Sequence, residues 1–328
     1  MNAFEYASPS TKKDAVKILS EKLDKTVVLA GGTDLLSLMK DHVATPERVV
    51  SIKSIGKLGG ISYDGNHGLR IGALVTLDEL VRDSKVQEDY PSLVQAIDGI
   101  RSPQLQSMGT VAGELCQRPR CWYYRSGFGL LAMHNGKSMV PEGDNRYHAI
   151  LGNAGPAYFV NPSSMAPALI ALGAYVKIYG PSGERDVPLE KFYRVPKTDG
   201  QKEYNLASNE IVTDILVPPV EGHANATYEV RQKEALDWPL AAAAVSLEIR
   251  GGKVQEARVV LGHVAPTPWA SSAAEKAIKG KTPDEANAER AGHAAVQGAK
   301  PLSMNGYKVR LARVAVKRAI LRAAGKEV

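Results

Sequence analysis

Residues 26–40, TVVLAGGTDLLSLMK, constrain this chain more than any other stretch. An apolar run from Thr26 to Ala30 stops at Gly31-Gly32. Thr33 and Asp34 follow, and Leu35, Leu36, Leu38 and Met39 then take up helical spacing. The pattern reads as a buried strand, a tight turn free of Cβ atoms, and a helix capped by Thr33 or Asp34. Such a turn gathers backbone N–H groups at the positive end of a helix dipole, which suits an anion such as phosphate. A Gly-Gly pair also serves as a plain strand–helix joint, and these residues alone leave both readings open.

The flanks supply α/β surroundings. Phe4-Glu5-Tyr6 reads as a strand, Ser10 to Lys22 as a helix, and Arg48 to Ser51 as a strand, so residues 1–55 form a β-α-β-α-β unit. Ile61-Ser62-Tyr63 and Leu69 to Ala73 flank the turn sequence Asp64-Gly65-Asn66-His67-Gly68. Thr76 and Glu79 form a capping box, and a helix from Ser92 to Gly99 follows. Met108-Gly109-Thr110-Val111-Ala112-Gly113 is a second place where small residues let backbone approach a ligand.

Residues 116–150 show neither period, and so long an irregular stretch is usually functional or a partner-binding excursion. Trp122, Tyr123, Tyr124, Phe128 and Tyr147 are expected to pin it down as a satellite cluster. Asn161-Pro162-Ser163-Ser164 caps a helix from Met165 to Leu172, with strands from Ala174 to Tyr179 and from Ile211 to Val217 beyond. Past a boundary near 220–226 the pattern predicts a helix around Trp238 to Val245 and two strands joined by Gly251-Gly252. Helices at Ala273–Lys279, 283–297 and about 306–324 complete that region.

Composition narrows the function. With 328 residues, 44% of them hydrophobic and 23% charged, the chain reads as globular, with room for two or three domains. No apolar run reaches the ~18 residues of a membrane span. The N-terminus has no charged leader with an apolar core, so the expected location is cytoplasmic, or periplasmic only if an exported partner carries the chain. The net charge is +6. Lys308, Arg310, Arg313, Lys317, Arg318 and Arg322 are expected to form a solvated helix face, and without aromatic interleaving no nucleic-acid partner is expected. Cys116 and Cys121 are the two cysteines. That excludes a disulfide scaffold and lacks the second ligand pair of a zinc site, so no metal site is expected. No catalytic acid, base or triad is defined by the seven histidines.

Two glycine-rich turns about eighty residues apart, in α/β surroundings, are the recognisable combination. With Ala30-Gly31-Gly32-Thr33-Asp34-Leu35-Leu36, Gly109-Thr110-Val111-Ala112-Gly113 and Asn161-Pro162-Ser163-Ser164 in that order, the chain resembles a known family. This is the FAD-binding medium subunit of the xanthine dehydrogenase and carbon monoxide dehydrogenase (molybdenum hydroxylase) family, near its aldehyde oxidoreductase branch. Residues 261–269, LGHVAPTPW, and Gly298-Ala299-Lys300-Pro301-Leu302 with Tyr307-Lys308 extend the likeness to the C-terminus.

The resemblance implies an α+β chain. A vanillyl-alcohol-oxidase-type (PCMH-type) FAD-binding domain would comprise two α/β subdomains, 1–55 and 56–221, the second with the irregular insertion at 116–150. A small α+β C-terminal domain would span 222–328. Leu29, Ala30, Gly31, Gly32, Thr33, Asp34, Leu35 and Leu36 would wrap the FAD pyrophosphate, and Gly109, Thr110 and Gly113 would approach from the other side. Ile100, Ser164 and Val212 match further cofactor contacts of the family.

Three positions depart from the family pattern: Gln106 in Gln104-Leu105-Gln106-Ser107, Glu114 in place of Asn, and Glu229 in place of Lys. An acid at Glu229 beside flavin N1 would disfavour the anionic reduced flavin. Some relatives hold a [4Fe–4S] cluster in this insertion; two cysteines fall short of its four ligands, so no cluster is expected. The implied function is electron transfer: partners with [2Fe–2S] clusters (small subunit) and a molybdopterin site (large subunit) would reduce the FAD, which passes electrons on. A stand-alone flavin oxidoreductase and a scaffold subunit that has lost FAD are the alternatives.

Overall fold

The first 55 residues build a three-stranded parallel sheet, ordered Glu5–Ala7, Arg48–Ser51, Thr26–Leu29, in a computed structural model that describes residues 1–233 and 237–328. Parallel neighbours need crossover connections, and the helices Lys12–Ile18 and Leu35–Lys40 supply them. Thr11 caps the first of these by accepting from the Asp14 N–H. That helix ends at Ile18, short of the expected Lys22, because Leu19 is already extended.

The next sheet is antiparallel and five-stranded: Ile61–Asp64, Gly68–Gly72, Ile211–Val217, Tyr175–Gly180, Gly183–Pro188. Asp64 Oδ1 accepts from the N–H groups of Asn66 and His67, both at 2.9 Å, and Gly68 takes φ +85 to close that hairpin. Short helices cover this sheet, among them Leu77–Arg82 on its Thr76/Glu79 capping box, Pro91–Asp98, Pro103–Met108 and Val111–Leu115. The apolar helix Met165–Ala171 is buried along its whole length in the main core.

His223–Val230, Ala241–Arg250, Lys253–Gly262 and Trp269–Ala270 make a third, antiparallel sheet. Ser272–Ile278, Glu285–Ala295 and Tyr307–Ala323 pack with it. The helix expected around Trp238 to Val245 is instead part of a strand. Residues 241–247, AAAAVSL, favour helix by composition, yet all seven are buried in the centre of the sheet. Small side chains are what this position requires: the helices Met165–Ala171 and Tyr307–Ala323 both lie against the strand. The neighbouring Gly262 leaves only 2.8 Å between a hypothetical Cβ and Pro167. Tertiary packing overrides propensity here.

Residues 116–150 contain one short helix, Trp122–Arg125, and a two-stranded ribbon, Met133–His134 with Lys137–Ser138. Tyr124, Leu130, Leu131 and Phe159 bury with Leu38 to form a separate small core. The C-terminal helix is not wholly a solvated face. Lys308 is 1% exposed, whereas Arg313 and Lys317 pair with Glu289, as expected of a charged surface. Among the described residues, no helix is long and apolar enough to cross a membrane.

Candidate functional site

The Gly31-Gly32 turn lies directly against the second glycine motif. A Cβ at Gly31 would sit 1.8 Å from the Met108 carbonyl oxygen and 3.3 Å from Gly109 Cα. Only glycine permits that approach. Gly32 takes φ +76, which lets the chain leave the strand and enter the helix. Among the described residues, the backbone N–H groups of Gly31, Gly32, Thr33, Asp34 and Leu35 donate to no protein acceptor. Five successive unpaired donors make an anion-binding nest.

In the second motif the Thr110 N–H has no acceptor among the described residues, and the other donors are already used. Gly113 N–H donates to Thr110 Oγ1 at 3.2 Å, Val111 N–H to Val75 O at 2.8 Å and Ala112 N–H to Ala73 O at 3.2 Å. Its part is mainly close approach, with the Thr110 N–H left to donate.

The two motifs border one cavity of about 210 Å³. Ala30, Gly31, Gly32, Thr33, Asp34, Leu35, Thr110, Gly113 and Val212 line it. Leu29, Leu36 and Gly109 adjoin it through the turns, while Ile100 and Ser164 lie outside its lining. Lining residues absent from the sequence expectation include Thr26, Gln117, Arg118, Lys202, Ser208 and Glu210. Arg118, already paired with Glu203 at 2.7 Å, and Lys202 add positive charge, and the carboxylates of Asp24 and Glu210 line the same cavity. The Lys202–Glu210 segment carries no motif, and its place depends on the strand Ile211–Val217 that follows it.

Asp34 does not cap its helix. Its carboxylate ties down the start of the irregular segment: Oδ2 accepts from Arg118 N–H at 2.8 Å, and Oδ1 meets Arg120 and Arg125, each at 2.8 Å. The charge of the acid in the first motif is thereby offset by Arg120 and Arg125.

Ser164 and Ile100 belong to a neighbouring cluster. Gln106 Nε2 donates to the carbonyls of Ile97 at 3.2 Å and Ile100 at 2.8 Å, fixing the turn that carries Ile100. Glu114 is buried. Its carboxylate accepts from Ser163 Oγ at 2.6 Å, Ser164 N–H at 2.7 Å and Met165 N–H at 3.3 Å. Burial nevertheless pushes its pKa up to about 7, against the pull of these donors. Glu229 pairs with Arg231, and this pair fills the space beside Gly99, where a Cβ would lie 2.0 Å from Glu229 Oε2. The acid at Glu229 therefore does not stand alone: the guanidinium two residues along offsets it.

The family of FAD binding domains in molybdopterin dehydrogenase matches residues 2–220, and that of the CO dehydrogenase flavoprotein C-terminal domain matches residues 226–323. The chain belongs to this flavoprotein family.

Its relatives agree. The aldehyde oxidoreductase FAD-binding subunit PaoB of Escherichia coli is 32% identical over 286 residues, covering 84% of this chain and 86% of that one. The carbon monoxide dehydrogenase medium chain of Hydrogenophaga pseudoflava is 28% identical and covers 97% of this chain and 96% of its own. A solved structure of the carbon monoxide dehydrogenase of Hydrogenophaga pseudoflava superposes with a TM-score of 0.77, covering 99% of this chain and 98% of that one.

The family's cofactor is FAD, the fold is the PCMH-type FAD-binding fold with its C-terminal domain, and the chain is a subunit of an oxidoreductase. The residues present fit that cofactor. Five free N–H donors on a turn that only glycine lets lie against the second motif suit a pyrophosphate, with Lys202 a cation of the same lining. Val27, Val28, Ile52, Ile211 and Val212 give the same cavity an apolar wall.

Proposed function

We propose that this chain is the electron-transfer subunit of a molybdenum hydroxylase complex. In this reading a large partner oxidises substrate at a molybdopterin site. A small partner with [2Fe–2S] clusters relays the electrons to this chain, which passes them to a final acceptor. When bound, FAD supplies the capacity to take up and release electrons, and the protein supplies binding, orientation and electrostatics. No side chain is assigned as a catalytic acid or base.

The observation that carries the reading is the contact of Gly31 with Met108 and Gly109 beside five unpaired N–H groups. On it we assign the pyrophosphate to residues 29–36, with Gly109, Thr110 and Gly113 closing from the opposite side and Val212 as an apolar contact. Ile100 and Ser164 are assigned to the flavin end, which the cluster around Gly99, Glu114 and the Glu229–Arg231 pair supports. The same reading divides the chain at 1–55, 56–221 and 222–328, supported by a separate sheet in each stretch.

A visible spectrum of the purified protein tests the cofactor assignment, with one FAD expected per chain on denaturation. Co-purification from the native host tests the partners. Colourless protein, or flavoprotein that never brings down an iron–sulfur or molybdenum subunit, would overturn the assignment.

A further inference from the structure

A buried acid backs the wall of the cofactor cavity. Gly113, Cys116 and Gln117 line that cavity, and Glu114 stands among them in the chain, on the helix Val111–Leu115, only 7% exposed. Its carboxylate accepts from four neutral donors: Ser163 Oγ, the N–H groups of Ser164 and Met165, and Gln117 Nε2 at 3.2 Å. Among the described residues no cation pairs with it. Those nearby are committed: Arg231 to Glu229 and the Asp237 carbonyl, Arg120 to Asp34 and Gln117.

A second acid faces the first. Ser164 stands between them, its N–H donating to Glu114 at 2.7 Å and its hydroxyl facing Glu229. Two distant segments thus bring two buried carboxylates to one serine. The other titratable neighbours of Glu114 stay neutral. Burial pushes Cys116 up to about 12 and Tyr193 well above the usual phenol range, and the Tyr193 hydroxyl donates to the Leu115 carbonyl at 3.0 Å. Burial, reinforced by the Glu229 charge, holds Glu114 at about 7, so near neutral pH a modest change in the local field decides whether it carries a proton.

The cavity is where the field changes. A negative charge arriving within ~10 Å, at an effective dielectric of about 20, raises a proton affinity by roughly tenfold. The donors around Glu114 accommodate either form. When the carboxyl is protonated, the N–H groups of Ser164 and Met165 still donate to Oε1, and the new O–H on Oε2 turns to Ser163 Oγ, a hydroxyl able to accept as well as donate. Nothing in the packing has to move for the proton to be held.

We propose that Glu114 is a redox-linked proton acceptor: as two electrons are delivered to bound FAD, its carboxylate takes one proton from solvent and becomes the neutral acid, offsetting the charge that has entered the cavity. The electrons come from a reduced iron–sulfur partner, one O–H bond forms on Glu114, and no bond of the protein breaks. The proposal rests on the FAD-binding, electron-transfer reading, which brings the electrons to this cavity.

Electrochemical reduction of the FAD-loaded protein, followed by infrared difference spectroscopy, tests it. At pH 8 the reduced-minus-oxidised spectrum is expected to gain a carboxylic-acid C=O band that shifts in heavy water and is lost in Glu114→Gln. The FAD midpoint potential should also fall more steeply with pH in wild type than in Glu114→Gln between pH 7 and 8. The difference is at most about 30 mV per pH unit, the value of a tenfold change for a two-electron couple. Ser163→Ala keeps Glu114 but removes its 2.6 Å donor, so the band should persist to higher pH; this variant decides the matter where Glu114→Gln loads no FAD. A band that survives in Glu114→Gln, equal slopes in the two proteins, or an unmoved pH range in Ser163→Ala would overturn the proposal. Flavin-free wild-type protein would instead count against the cofactor reading.

Discussion

A methyl group at Gly31 would sit inside the contact between the two glycine motifs, so Gly31→Ala must push them apart. The expected result is protein that folds with about 1–3 kcal/mol less stability and purifies with most of its FAD lost. Full flavin occupancy at an unchanged melting temperature would contradict the assignment. Gly31 is a cleaner probe than Gly32, because Gly32→Val adds strain at φ +76 whether or not a cofactor is near. Glu114 gives a pH-dependent test. Its carboxyl titrates near 4.5 when unfolded and at about 7 when folded. Between those values the native state holds the extra proton, so stability falls as pH rises from 4.5 to 7 and is flat above. Glu114→Gln keeps both acceptor and donor capacity while removing the charge. Melting curves should show it gaining on wild type at pH 8, by up to about 3 kcal/mol, and not at pH 4.5. Equal gains at both pH values would mean burial of the charge is not the cause. Sequence alone marks Glu114 as a departure from the family; that its carboxylate is consumed by Ser163, Ser164 and Met165 appears only when two distant segments meet.

At the scale of elements, Asp34 fastens the irregular segment to the first motif. Asp34→Asn removes the charge that Arg120 and Arg125 share and is expected to cost about 2 kcal/mol, the loss of one partner from a partly buried ion network. Limited trypsin digestion checks it: cleavage after Arg120 and Arg125 should accelerate in the variant, and an unchanged rate would show that Asp34 does not hold the segment. Periodicity reads the strands, capping box and terminal helices because those elements bury one face. It misreads residues 241–247 because a strand buried on both faces has no alternation to read, and alanine then biases the reading towards helix. It is equally silent on residues 116–150, whose placement comes from side-chain contacts and not from a repeat.

At the scale of the whole molecule, the end of the irregular segment is stitched to the C-terminal region. Asn305, fully buried, donates to the carbonyls of His148 and Ala149, both at 3.2 Å, and accepts from Leu302 N–H at 2.7 Å. Asn145 bonds Ser303 and Met304, and Lys300 N–H reaches Ile150 O at 2.7 Å. Asn305→Ala leaves the Leu302 N–H unmet and takes one of two donors from each carbonyl, His148 keeping Lys308 and Ala149 keeping Asn153, and is expected to cost about 1–3 kcal/mol. Urea denaturation should show a lower midpoint with flavin release and tryptophan fluorescence still coincident. Separate transitions would mean that the C-terminal region unfolds on its own.

The sequence by itself determined the strand–turn–helix at Gly31-Gly32, the second small-residue turn, the family and its cofactor. These rest on local rules: glycine where backbone must approach, caps where helices begin, and motifs that lie within a few residues of one another. Tertiary structure alone decided that the two turns touch, that Asp34 anchors a loop eighty residues away, and that Lys308 is buried among three carbonyls. Each depends on residues far apart in the chain meeting at van der Waals distance, and no local pattern encodes that meeting.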